Sequence, residues 1–535
     1  MTRERVLNLI GFSLLIVCFA LSVARIVSAK WFTKTSSGEN IITIRLAHWQ
    51  LEAGVREAFE AIGREYEAKH PNVRVRSIPI PERIYLNWLR TQVVGGTAPD
   101  IVEIGQGITS DMLARYFVPL GDVINKPNPH NVSTSLADTP LRETFFDGMQ
   151  GGFNSDLLEY FGVPVSIVTV RIFYNLDLLK KITGNESIPA TYEEFVALCE
   201  KVKDYSLRTG MPIVPIAGSK YNGPMLMDRL FSSQTQRLTA DFNTTGEGGA
   251  GSGRIIERYF AGKWQTTSPE IESGFALARE VGGYMQPGFM QLQRDDATFM
   301  FLQARSLMIC TGSWDVTSIA QQAAFPLGIG PIPLPTKDHP RYGRYVKGFV
   351  SEAGSNASLP FGLTKSSKHP EIALDFLLFL GSKAMAKVFT DVSGWLPAIV
   401  GVESSPRSKG FALETAGFSG GFVLGNLGPD TRRVLDTNFY RLIDPSSSSK
   451  EFLEMLNLEF AKTFVSDQKR ATRSRWENII RSDSLLGASA WLAGGHISES
   501  TDSPTDEDRF LHASTINDRA YYSDRLVLDQ IKKAQ

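Results

Sequence analysis

Apolar and polar positions along this chain fall into two recurring rhythms. Residues 41–49, IITIRLAHW, are an apolar run of strand length, and Val55, Phe59, Ile62 and Tyr66 then recur at helical spacing. VRVRSIPI (73–80) alternates like a strand. RIYLNWLRTQVV (83–94) puts Tyr85, Trp88, Leu89 and Val93 on one helical face, and GGTAPDIVEIG (95–105) breaks that helix and opens a third strand. The rhythm returns with the strand TVRIFYN (169–175) and the helix TYEEFVALCEKV (191–202), whose Thr191 and Glu194 form a capping-box pair. Ser268 and Pro269 predict another helix start, DDATFMFLQAR (295–305) a helix running into the strand SLMIC, and Ala373, Phe376, Leu377 and Leu380 one more helix. Strands alternating with helices predict an α/β fold whose largely parallel sheet is covered by helices. At 535 residues the chain exceeds one ordinary core, so two or more lobes are expected.

Three stretches depart from the rhythm. Arg3 and Arg5 precede the apolar run VLNLIGFSLLIVCFALSVA, and Val27, Ser28 and Ala29 follow as small residues at an export cleavage site. The stretch reads as a secretory signal peptide, and its length also permits an uncleaved membrane anchor. TTGEGGAGSGR (244–254) reads as a surface loop, and SESTDSPTDEDR (498–509) as a disordered acidic segment. Charge is balanced, with 56 Lys plus Arg against 57 Asp plus Glu, which disfavours nucleic acid or an anionic membrane as partner. Once an export segment is removed, Cys199 and Cys310 remain and read as buried thiols, although an oxidising compartment permits one disulfide.

Most motif matches fail on their context. Gly246, Gly248 and Gly251 satisfy G-x-G-x-x-G without a strand before them or a βαβ unit around them. GFSGG (417–421) matches a serine nucleophile elbow at Ser419, with His496 and His512 downstream, but FALETA before it and GFVLGNLGP after it are neither a buried strand nor a helix. The histidines are scattered singly, so no metal site and no cofactor is expected. What remains is a set of residues at the ends of strands or in late loops: Trp49, Gln106, Tyr174, Trp314 in CTGSWDVTSI, and Trp395. In an open α/β sheet such positions line a ligand crevice.

At this point the chain resembles the extracellular solute-binding proteins of bacterial ABC importers, the family that includes maltose-binding protein. The resemblance rests on ordered pieces across residues 40 to 400: the first strand leading to HWQ, GGTAPDIVEIG, IFYNLDLLKK, PATYEEFVALCEKV, SLMICTGSWDVTSI, GIGPIPLP, and KSSKHPEIALDFLLFL followed by GWLPA. It implies a two-lobe α/β fold of the periplasmic-binding-protein kind, joined by hinge strands around a ligand cleft, with no catalysis. GVPVSIV (162–168) would form one crossing and FPLGIGPIPLP (325–335) the other.

The implied division is 1–29 export segment or anchor, 30–40 linker, 41–165 and 329–385 first lobe, and 166–328 second lobe. A helical part (386–490), mostly on the second lobe, and an acidic, partly disordered tail (491–535) would follow. The implied site is Trp49, Gln50, Gln106, Tyr174, Trp314, Asp315 and Trp395, with aromatic faces stacking on a sugar and polar groups bonding its hydroxyls. The implied partners are a small solute, expected to be a sugar, and the ABC permease's membrane subunits; the protein itself is expected to be a monomer. An exported serine hydrolase using Ser419 and an anchored solute-sensing ectodomain are the alternative readings.

Overall fold

The computed structural model describes residues 41–534 apart from 106, 155, 156, 158, 244–249, 445 and 494–505. The expected export segment, Gln106, His496 and most of the Gly-rich loop therefore lie outside the described residues. The first lobe opens with β1 (Ile42–His48), α1 (Val55–Lys69), β2 (Val73–Pro79), α2 (Glu82–Val94) and β3 (Ile101–Glu103). β1 is parallel to both β2 and β3, in the register Ile42↔Val73 and Leu46↔Ile101, so all three strands end at one edge. The apolar stripe expected from Val55, Phe59, Ile62 and Tyr66 is buried on α1.

The chain leaves this lobe through β4 (Ser166–Ile167) and builds the second with β5 (Val170–Asn175), α3 (Tyr192–Thr209), β6 (Val214–Ala217), α4 (Asn222–Gln234), α5 (Ser252–Phe260), α6 (Pro269–Gly282), α7 (Arg294–Leu302), β7 (Ser306–Gly312), α8 (Val316–Gln322) and β8 (Leu327–Gly330). The capping box forms as read, with the Glu194 N–H donating to Thr191 Oγ1 at 3.2 Å and the Thr191 N–H to Glu194 Oε2 at 3.3 Å. The sheet order is β8-β5-β7-β6, with β5 antiparallel to its neighbours. Strand alternation splits its side chains. Ile172, Tyr174, Ile216, Met308 and Cys310 enter the second lobe's core, while Phe173, Ala217 and Ile309 join a core shared with the first lobe.

The second crossing is not at Phe325–Pro335. Leu327–Gly330 is an edge strand on β5, and Ile332 and Leu334 pack against the second lobe's core. Gly328 and Gly330 let β8 lie close on Leu176 and Ile188, where a Cβ would stand 2.7 Å and 3.0 Å from those side chains respectively. The return runs instead through the segment ending at Pro360: the Ser358 N–H donates to Ser166 O at 2.6 Å and the Ile104 N–H to Pro360 O at 2.7 Å. β9 (Phe361–Leu363) then adds antiparallel to β3, and α9 (Pro370–Leu380) and α10 (Lys383–Ser393) cover the first lobe. β10 (Leu396–Pro397) pairs with β4, and a third passage leads to α11 (Pro429–Ile443) and the 45-residue α12 (Ser449–Ala493) on the second lobe.

Within the tail expected to be acidic and partly disordered (491–535), the stretch beyond Arg509 reads as helical, and it belongs to a helix, α13 (Asp506–Ala534), which buries Val527 and Ile531 against α5 and α12. Arg475 Nε donates to Asp524 Oδ2 at 2.8 Å and holds the hairpin of α12 and α13 together. Among the described residues no helix is long and apolar enough to cross a membrane.

Candidate functional site

Three chain segments from the two lobes converge where β1 ends. The first is the β1–α1 loop. Gly54, at φ 88°, seats it against Val392 and Ser393, where a Cβ would come within 2.9 Å of the Val392 carbonyl. The second is the turn after β7, in which the Ser313 N–H donates to Thr169 O at 2.8 Å. The third is the bend after α10, whose Ser393 carbonyl accepts from Thr317 Oγ1 at 2.5 Å.

On the first lobe Trp49 is half-buried, edge-on to Tyr85 at 5.0 Å, and lies over Gly105, where a Cβ would be 2.0 Å from the indole. Beneath it Glu103 is buried and accepts from Gln50 Nε2 at 2.6 Å and from the Trp49 N–H at 3.2 Å. Burial pushes the Glu103 carboxyl up to about 8; the two hydrogen bonds pull it back only in part, and Glu52 and Glu82 nearby add to the rise. Gln50 is thus spent on positioning Glu103 and the Trp49 loop.

On the second lobe Trp314 folds back over Gly312, where a Cβ would stand 2.2 Å from the ring. Gly312 is small to receive the indole, which explains a tryptophan in that turn. Asp315 accepts from Thr311 Oγ1 at 2.5 Å and pairs with Arg294, and Arg294 sits 5.3 Å over the Tyr221 ring. Arg294 Nη1 also reaches Glu52 Oε1 of the first lobe at 3.9 Å. Glu52, whose carboxyl burial pushes up, leaves Oε2 buried with no hydrogen-bond partner among the described residues, as does Trp314 with Nε1. Buried polar atoms in native proteins are seldom left unpaired, and Tyr174 Oη and Trp395 Nε1 in the cores are unpaired among the described residues as well.

Arg294 therefore links the loop that carries Trp49, Gln50 and Glu52 to the turn that carries Trp314 and Asp315, and Gln106 lies outside the described residues. Two expected residues are elsewhere. Tyr174 is fully buried in the second lobe's core, in the same cluster as Cys199 and Cys310, because β5 points it away from the shared face. Trp395 is 1% exposed and edge-on to Phe389, so it offers no face to a solute. Glu52, Glu103, Tyr221 and Arg294 are additions. Glu52 had a signal, three residues after Trp49 in the same strand-end loop; Arg294 and Tyr221 had none beyond a common residue type.

Ser419 lies in a loop beside a cavity of about 240 Å³ that Gln236, Thr239, Lys347 and Phe418 also line, and no histidine is among the lining residues. No strand–turn–helix surrounds it, and the hydrolase reading has no geometry here. Cys199 and Cys310 are free, and burial raises both thiols, Cys310 to about 12.

Two α/β lobes, crossed by several chain segments and meeting at a junction lined by tryptophans and unpaired polar atoms, define a two-lobe binding protein. The profile of the bacterial extracellular solute-binding proteins matches residues 61–412, and the chain belongs to that family. An uncharacterised ABC transporter extracellular-binding protein of Pyrococcus horikoshii is 21% identical over 74% of this chain and 81% of its own length. The maltodextrin-binding protein of Bacillus subtilis is 23% identical over 72% of this chain and 80% of its own. Among solved structures, the apo form of RafE from Streptococcus pneumoniae superposes with a TM-score of 0.55 at 18% identity, covering 80% of this chain and all of that one. A chitin oligosaccharide binding protein gives 0.53 at 17% identity, covering 80% and 99%.

Proposed function

We propose that this protein is the exported receptor of an ABC importer, that its solute is a mono- or oligosaccharide, and that the solute sits between the lobes against Trp49 and Trp314. The observation that carries this is the convergence of a half-buried tryptophan from each lobe with the unpaired Glu52 Oε2 and Trp314 Nε1. Relatives named for maltodextrin, galactooligosaccharide and multiple sugars support the carbohydrate class. An indole face suits the apolar C–H surface of a sugar ring, and the ring's hydroxyls bond the polar groups around it. Closure follows from the solute touching both lobes at once, since a ligand shifts the hinge only by its better contacts in the closed state. The closed form is what the permease's membrane subunits would recognise. No chemical step on the solute is called for. Residues 1–29 serve export, as a cleaved signal or a retained anchor, and the receptor acts as a monomer.

Thermal unfolding against a panel of maltodextrins, raffinose, galactose and chitin oligosaccharides checks the reading. A sugar at one hundred times its Kd adds about 2.7 kcal/mol of stability and raises Tm by a few degrees. A melting temperature that none of them moves counts against a carbohydrate solute.

A further inference from the structure

We propose that Glu52 and Arg294, one from each lobe, are a specificity-determining pair that reads one hydroxyl of the solute from both sides. The proposal rests on the sugar reading above and names where its selectivity lies. Arg294 is fixed before any solute arrives: Asp315 takes one end of the guanidinium and the Tyr221 ring lies 5.3 Å beneath it. The Nη1 end faces Glu52 Oε1 at 3.9 Å, beyond hydrogen-bond length, so the two charges attract across the cleft without bonding. The second Glu52 oxygen is buried and lacks a partner among the described residues.

A hydroxyl donates to a carboxylate while accepting from a guanidinium, and so fits between them. Two bonds of about 2.8 Å meeting at a tetrahedral oxygen span about 4.6 Å, so a hydroxyl enters once side-chain movement of Glu52 or Arg294 widens the 3.9 Å gap by under about 1 Å. An anionic group at this point would meet Arg294 but also the carboxyl groups of Glu52 and Asp315, which face the same guanidinium. A solute lacking the hydroxyl would leave the buried Glu52 Oε2 without a bond, which is how such a site rejects a near-isostere. The pair therefore selects neutral sugars that carry a hydroxyl at one position.

Isothermal titration of the panel's tightest sugar and its monodeoxy analogues into wild type, Glu52→Gln, Arg294→Lys and the double variant tests this. Each single variant should bind the parent sugar tenfold or more weaker, and the double variant little weaker than either single. One deoxy analogue should lose tenfold against wild type and almost nothing against Glu52→Gln. Single variants within twofold of wild type, or losses that multiply in the double, overturn the pair while leaving the sugar reading intact. If Arg294→Lys fails to fold, the deoxy series on Glu52→Gln decides alone. A wild-type protein that binds no sugar of the panel overturns both readings.

Discussion

Glu103 is a carboxyl group without exposed surface at the end of β3, and its position under Trp49 has a consequence for stability. Its pKa is raised from about 4.5 to about 8 in the folded protein, chiefly by burial. Below about 4.5 the group is protonated whether the chain is folded or not, and it contributes no pH dependence. Between 4.5 and 8 the folded state keeps a proton that the unfolded chain has released, so stability falls as pH rises; above about 8 the loss is complete. Urea midpoints of wild type and Glu103→Gln between pH 5 and 9 should separate in the variant's favour up to about pH 8 and run parallel beyond. A separation that does not change with pH contradicts the assignment. Residue types at strand ends pointed to Trp49 and Trp314. They could not tell these from Tyr174 and Trp395, because strand parity and loop packing decide which aromatic stays half-exposed and which enters the core. Glu52 and Arg294 belong to the junction only once two distant stretches of chain have met.

Among the elements, one side chain bonds to all three crossings. Arg171, on β5 just after the first crossing, donates Nη1 to Glu352 Oε1 and Nη2 to Glu352 Oε2, both at 2.8 Å, and Nη2 to Ala412 O at 2.7 Å. Glu352 belongs to the second crossing and Ala412 to the third, so this guanidinium ties all of them. Burial alone would push Glu352 up, but the bonds from Arg171 and the Glu414 N–H, with the charges of Arg171 and Arg229, hold it below the usual range. Arg171→Met leaves that carboxylate buried without its main partner and should cost about 3 to 5 kcal/mol in chemical denaturation. A loss under about 1 kcal/mol would mean that water or Arg229 replaces Arg171. Most elements could be read from the sequence because periodicity and caps are local, as the box at Thr191 shows. The second crossing could not, since LGIG reads the same whether it is an edge strand or a hinge, and what fixes it is its pairing with β5 more than 150 residues earlier.

For the whole molecule, ordered motifs were enough to place the chain in a two-lobe family, whereas the C-terminal extension beyond the family's match and its contact with the helix after the Gly-rich stretch had to be seen folded. α5, next to the Gly-rich stretch, and α13, in the C-terminal extension, pack on each other, with Val527 Cγ2 3.8 Å from a Cβ built at Gly253. Alternation and composition carry no sign of that contact, because it joins segments some 270 residues apart. The central claim is that both lobes hold one sugar between Trp49 and Trp314. Isothermal titration of the panel's tightest sugar into wild type, Trp49→Ala and Trp314→Ala tests it on one scale. The expected result is one sugar per chain for wild type and a loss of about 2 kcal/mol or more, over tenfold in affinity, in each variant. Either variant binding that sugar as tightly as wild type, with its fold intact, would contradict a shared interlobe site.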